Sequence, residues 1–351
     1  DTDRSRGLGD VYKRQTYICT FMMKLNKIGV AAFVNVSVEK LRNQTVTILT
    51  RGFRYIFLIT FGYLLLYPFI YILINSFKSA SDYYDPTVVW VPKHIVTDNL
   101  KAAWQALEFP TAFRSTVING VIPSILQFCT CAVYGYGLAR FKFRGRSILF
   151  AAMFLNILVP VTILIVPTYV NFQYVDFLGA LKLISGLAGK ELRPSFIDTP
   201  LVFYVPALLG VGLKSALYIC IYSQFFKTLP RELEEAAWID GAGPYKTFIK
   251  IIAPSSGSAG ITVLIFSVIW NWSDYYLPQI YFSENYPLSV MLNRFRYSLG
   301  SIMGYYIEEA NVASTYVILA ACLIFLLPLL IFYLIVQRKF IASISTTGLV
   351  G

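Results

Sequence analysis

Histidine is nearly missing from this chain of 351 residues, with His94 the one example. That excludes a metal site built on several imidazoles and any relay between two of them. His94 lies close to Pro92 in a polar connection and reads as a surface residue. Cysteine is scarce too: Cys19, Cys129, Cys131, Cys220 and Cys322 are all there is, and four of them sit in apolar runs, where a thiol behaves as a small hydrophobe. No disulfide framework or zinc ribbon is indicated. No Gly-x4-Gly-Lys-Ser/Thr run occurs, so ATP binding by a P-loop is excluded. Charge is the most telling shortage. Charged residues make up 14% of the chain and hydrophobic ones 56%, whereas a soluble domain carries about 25% charged residues. Such a chain cannot be wetted on all sides, and it reads as a membrane protein. The net charge of +11 is scattered between apolar runs and forms no groove-sized patch, so nucleic acid is not an expected partner.

Six stretches are long enough for the roughly 20 apolar residues that a helical crossing needs. They are 55–77, 115–139, 147–172, 201–226, 260–282 and 315–336; Lys214 and Asp274 are the charged residues inside them. Pro68, Pro123, Pro160, Pro167 and Pro278 are expected to kink these helices without ending them. With the N-terminus on the cytoplasmic side, the inner segments 1–54, 140–146, 227–259 and 337–351 hold 20 of the 30 Lys and Arg residues. The positive-inside rule therefore predicts that both termini are cytoplasmic. Residues 1–15 are polar and match nothing downstream. They read as a non-native scar before a start near Met22 or Met23, and the rest of 1–54 as a leader. Within it, 26–50 is open between an interfacial helix and a disordered segment.

The stretch from Leu229 to Gly243, LPRELEEAAWIDGAG, is the most informative. Pro230 suits a first helical turn, and Glu232, Glu234 and Glu235 follow where the helix dipole favours anions. Gly241 and Gly243 can end the helix, and a second short helix is predicted from Pro244 to Pro254 with Lys246 and Lys250 on one side. Leu233, Ala236 and Ala237 share a face that the alanines leave flat. From these residues alone, a docking surface and a plain connecting hairpin stand level.

Glu235-Ala236-Ala237, Asp240-Gly241-Ala242, Phe248, Ile251 and Pro254 resemble the EAA motif of binding-protein-dependent ABC importer permeases. Asn75-Ser76-Phe77-Lys78, Ala139 to Arg146, Gln224-Phe225-Phe226, Trp270 to Asp274 and Gln337 to Phe340 are similar to the MalG-like branch of carbohydrate permeases. Ala253 departs from the usual Leu, and the long connection from Gln173 to Thr199 leaves the start of the fourth span open.

The resemblance implies an all-α polytopic membrane protein with the type I ABC importer permease fold. It would have six transmembrane helices and a cytoplasmic coupling helix between the fourth and fifth. Glu234, Glu235, Ala236, Ala237, Asp240, Gly241, Ala242 and Gly243 would carry the coupling to an ATPase. The implied partners are a second, homologous permease, two ATP-binding-cassette subunits, an extracytoplasmic sugar-binding protein and lipid of a bacterial inner membrane. This chain would hold no cofactor, ATP and Mg2+ belonging to the partner ATPase.

For the pathway itself, Asn271, Trp272, Asp274 and Tyr275 offer amide, ring and carboxylate groups at membrane depth, a set suited to a sugar. The same residues are open to a second role as polar glue between helices. Lys214 is open among pairing with Asp274, lining a cavity and snorkelling outward. Two other classes of function stay in view: an ion-coupled secondary transporter using Asp274, and a scaffold that transports nothing.

Overall fold

Apolar runs without a sheet partner must satisfy their own backbone, and helices are what the computed structural model contains. It describes residues 20, 22–24, 46–176, 179–188, 193–303 and 315–347, so residues 1–15 and 26–45 lie outside the described ones. Among the described residues there is no β-strand, only an isolated bridge between Lys78 and Ile95. The chain divides into two units, Asp1–Tyr71 and Ile72–Gly351. In the first, helix α1 (Val46–Ser76) is underway. Its Phe53, Phe57 and Phe61 stack at successive i, i+4 positions, 6.4 and 5.8 Å apart, which stiffens an otherwise apolar rod.

The second unit contains α2 (Asp98–Ala106), α3 (Phe109–Arg140), α4 (Arg146–Leu158), α5 (Val161–Gln173), α6 (Leu201–Leu208) and α7 (Ser215–Thr228). They are followed by α8 (Glu232–Ile239), α9 (Pro244–Ser255), α10 (Gly257–Ser273), α11 (Tyr276–Tyr281) and the long α12 (Thr315–Thr347). By length and composition, α1, α3 and the Thr315–Ile341 part of α12 could each cross a membrane. The pairs α4–α5 and α9–α10 qualify only as bent units, with angles of 107° and 78°. The stretch 201–226 is two helices joined by a loop, and the stretch 260–282 changes from α10 to α11 at Asp274.

Proline explains where one of these breaks falls. Val159 is extended (ψ 121°) and Pro160 caps α5 with ψ 134°, because proline excludes the helical conformation from its predecessor. Pro160 thus ends one helix and starts another, whereas Pro167 stays inside α5. Pro123 is absorbed differently. A π-helical turn, Val117–Val121, precedes it and lets α3 continue.

Of the three apolar cores among the described residues, one is small, around Val202, Tyr281 and Phe282, and two are larger. One of the larger two joins Cys131, Tyr136, Tyr218, Tyr222, Phe226, Ile252 and Val263 where α7 and α10 lie along α3. Gly135 permits that contact: a Cβ there would stand 2.5 Å from the Cβ of Tyr222 and 3.1 Å from the amide nitrogen of Ser223. The other core joins Ala103, Ala106, Leu107, Trp272, Ala320 and Ala321 of α2, α10 and α12. After α1 a polar clasp closes. Asn99 donates to the carbonyls of Ser76 (3.1 Å) and Lys78 (2.8 Å), and the buried Lys78 ammonium donates to those of Val88 (2.8 Å) and Val89 (3.1 Å).

A neighbouring contact in the same connection responds to pH. The backbone N–H of His94 donates to the Asp82 carboxylate at 2.7 Å, and this contact holds the carboxyl below its usual range. A lowered folded value stabilises above the unfolded pKa, near 4, and is lost as pH falls through the folded value. Amide exchange of the His94 N–H should therefore accelerate below about pH 4 beyond its intrinsic trend, and Asp82→Asn should remove that acid step. At the α3–α7 contact, Gly135→Val should lower the midpoint of thermal unfolding in detergent, with an overpacking cost of about 1–3 kcal/mol.

Candidate functional site

Leu229, the cap of α7, is extended (ψ 138°) because Pro230 follows it, and the chain turns away there. Helix α8 follows. It ends in a Schellman motif: Gly241 N–H donates to Trp238 O at 3.0 Å, Ala242 N–H to Ala237 O at 2.9 Å, and Gly241 takes φ +76°. Gly243 and Pro244 then cap and begin α9. Phe248 of α9 lies under Tyr136 (5.0 Å) and Phe226 (6.4 Å), which fixes the hairpin to the ends of α3 and α7.

One ion pair orders this junction. Arg140, in the last turn of α3, brings its Nε to 2.9 Å from Glu234 Oε1 in the first turn of α8, and each side chain is only 7% exposed. The approach is a contact of charges and not an aligned hydrogen bond. The Arg140 Nη2 also donates to the Leu229 carbonyl at 2.7 Å. A cation at a helix C-terminus and an anion at a helix N-terminus each suit the local dipole. Three element ends, those of α3, α7 and α8, thus meet on a single guanidinium.

The residues grouped in the EAA-like loop therefore divide. Glu234 and Ala237 face inward, while Glu235, Ala236, Asp240, Gly241 and Gly243 are exposed and Ala242 is half-buried. Leu233 and Ala236 remain on the outer side without Ala237. The sequence reading passed over the outward apolar groups: Trp238, Ile239 at 87% exposure, Tyr245 at 86%, and Ile249. Arg140 enters that reading as a topological charge and as part of the Ala139 to Arg146 run, without a partner. An Arg and a Glu about ninety residues apart show no periodic signal, so their pairing is visible only once folded.

Of the second candidate set only Asn271 reaches a cavity of about 250 Å³ between α3, α5, α6 and the connection that leads into α7. Asn271 lines it and belongs to a buried polar network. Its Nδ2 donates to Gln127 Oε1 (3.0 Å) and Ser267 O (2.9 Å). Ser267 also donates to Gln127 Oε1 (2.8 Å), and Gln127 Nε2 donates to Leu213 O (3.0 Å) and Ser215 Oγ (3.1 Å). Gln127, another residue the sequence reading did not single out, thus joins α3, α7 and α10.

Trp272 lies apart from the cavity, buried between Phe113 and Phe325, each 6.1 Å away. Asp274 uses Oδ1 to accept the N–H groups of Tyr276 (3.0 Å) and Leu277 (3.3 Å), and so caps α11. Tyr275 is exposed and packs edge-on against Tyr276. Lys214 does not pair with Asp274 among the described residues. It lines the cavity, with its ammonium 5.0 Å from the centre of the Trp270 ring. No group of His, Cys, Asp and Glu that could hold a metal occurs among the described residues.

Residues 131–345, which include the loop, the ion pair and the cavity's polar network save Gln127, match the family described as the binding-protein-dependent transport system inner membrane component. The chain belongs to that family. It is a multi-pass, all-helical membrane component of an ABC importer. It is 27% identical over 277 residues to the probable starch degradation products transport system permease protein AmyC of Thermoanaerobacterium thermosulfurigenes, covering 79% of this chain and 89% of the relative. It is 28% identical over 286 residues to the melibiose/raffinose/stachyose import permease protein MelC of Bacillus subtilis, covering 81% and 91%. The diacetylchitobiose uptake system permease protein NgcG of Streptomyces coelicolor is 27% identical, with coverage of 82% and 85%. A crystal structure of a bacterial ABC transporter involved in the import of the acidic polysaccharide alginate has a chain of the same fold. It aligns with a TM-score of 0.61 at 19% identity and covers 83% of this permease and 96% of that chain.

Loss of either partner at the junction should leave a buried, uncompensated charge. Arg140→Gln and Glu234→Gln should each destabilise by about 3–5 kcal/mol, whereas Arg140→Met with Glu234→Leu should cost less than either. Thermal unfolding of the four permeases in detergent gives the comparison.

Proposed function

We propose that this permease forms half of a sugar pathway beside a homologous partner and takes its driving force from a separate ATP-hydrolysing subunit. The observation that carries the reading is the α8–α9 hairpin. It presents Glu235, Ala236, Trp238, Ile239 and Tyr245 outward, while its inner side is fastened to α3 and α7 through Arg140 and Phe248. Apolar side chains exposed beyond a membrane helix bundle fit a cleft on another protein. Such a surface, rigidly joined to membrane helices, can convert closure of an ATPase pair into movement of the bundle.

Sugar as cargo is supported by the relatives, a probable permease for starch degradation products and permeases for diacetylchitobiose and for melibiose, raffinose and stachyose. A binding protein outside the membrane would deliver the sugar. The cation distribution supports placing α8, α9 and both termini on the cytoplasmic side. An ion-coupled carrier centred on Asp274 gains no support, since that carboxylate is engaged as the cap of α11.

The test uses two substitutions. Glu235→Lys reverses an exposed charge on the proposed docking face. Gly241→Leu puts a side chain where φ is +76°, at a cost of about 1–2 kcal/mol that would distort the end of α8. Both permeases should reach the membrane at normal abundance, yet lose sugar uptake and stimulation of the co-purified ATPase. Wild-type uptake by both would contradict the reading.

A further inference from the structure

The cavity beside Gln127 and Asn271 has one charged lining residue, Lys214, and no Asp or Glu among the residues that line it. The rest of its wall is largely apolar and includes Val202, Phe203 and Pro206. An ammonium at membrane depth is costly unless it serves a cavity or a partner. Lys214 has no ion pair among the described residues, and its contact is with the face of Trp270 at 5.0 Å. That contact holds the ammonium at the wall without neutralising its charge. The backbone is committed as well. Lys214 takes φ +60°, a left-handed conformation uncommon for a residue other than glycine, at the point where the connection from α6 turns into α7. Strained conformations of this kind persist where the surroundings fix them, and they cluster at ligand sites.

The neutral polar groups of the cavity are unequally available. Gln127 and Asn271 are engaged with Ser267, Ser215 and Leu213. Asn156 remains to meet sugar hydroxyls, and Thr168, whose hydroxyl donates to Leu164 O at 2.8 Å, and Tyr281, 3.0 Å from it, keep oxygen lone pairs that can accept from them. The volume of about 250 Å³ falls below the roughly 300–1,000 Å³ of typical small-molecule sites and suits one sugar ring.

We propose that this cavity binds an acidic sugar, with Lys214 receiving the carboxylate of a uronate ring while Asn156, Thr168 and Tyr281 meet its hydroxyls. The inference rests on the sugar-importer reading and adds the charge of the cargo. A fixed cation in an apolar wall favours a carboxylate strongly over the hydroxymethyl group that replaces it in a neutral sugar.

The test measures binding to the intact transporter complex, purified without its binding protein, by calorimetry and by Trp fluorescence. The probes are digalacturonate, diglucuronate and dimannuronate, each against its neutral counterpart. At least one uronate should bind about tenfold more tightly than its counterpart, the low end for a charge-assisted hydrogen bond. Lys214→Gln should abolish the preference and Lys214→Arg should keep it. Lys214→Met, whose straight chain retains the packing on Trp270, replaces the Gln variant should that one fail to reach the membrane. Equal affinity for each pair, or a uronate preference that survives loss of the ammonium, would overturn the inference and leave the sugar-importer reading standing. A complex that binds no saccharide and brings down no ATPase would overturn both.

Discussion

The junction at Arg140 is the contact on which the rest of this permease depends. A buried guanidinium is tolerable only with a counter-charge and hydrogen-bond acceptors, and here both are supplied by other elements, Glu234 of α8 and the Leu229 carbonyl at the end of α7. The pair is not an efficient source of stability, since apolar residues of similar volume can hold such a site equally well. What it provides is registration. With α8 fixed to the ends of α3 and α7, and Phe248 wedged beneath Tyr136, the exposed hairpin cannot shift without moving the two helices that pack most extensively together.

Movement applied at that end has a defined route inward. Helices α3 and α7 touch backbone to side chain at Gly135, and farther along α3 the Gln127 side chain ties both of them to α10. Gln127 and Asn271 also line the cavity that holds Lys214. The exposed hairpin and the cavity therefore belong to one packed body. This is the arrangement a transporter needs if energy released outside the membrane is to change access within it.

The large features were legible in the sequence because they depend on composition and short spacing. Apolar runs predicted helices, Pro230 and Gly241 marked the limits of α8, and the EAA-like spacing pointed to the family. The interior features were harder to read. The identity of the residue facing inward on α8, Glu234 rather than Glu235, depends on a partner 94 positions away. Pro160 and Pro167 share an apolar stretch, yet one stands at a 107° break and the other lies inside a continuous helix. Asp274 drew notice as a carboxylate among apolar residues, and a local capping role accounts for its position. Gln127, a plain amide in an apolar run, gave no signal although it ties three helices together.

The central claim, that the hairpin and the cavity move as one body through Arg140, is tested most directly by a distance measurement. Spin labels at Asn156→Cys and Phe203→Cys, in a background without other cysteines, report across the cavity in the complete complex with its ATPase. The account predicts that nucleotide binding shifts this distance when Arg140 is present, and that the shift is lost in Arg140→Gln while the ATPase remains bound. An equal shift in both permeases would contradict it.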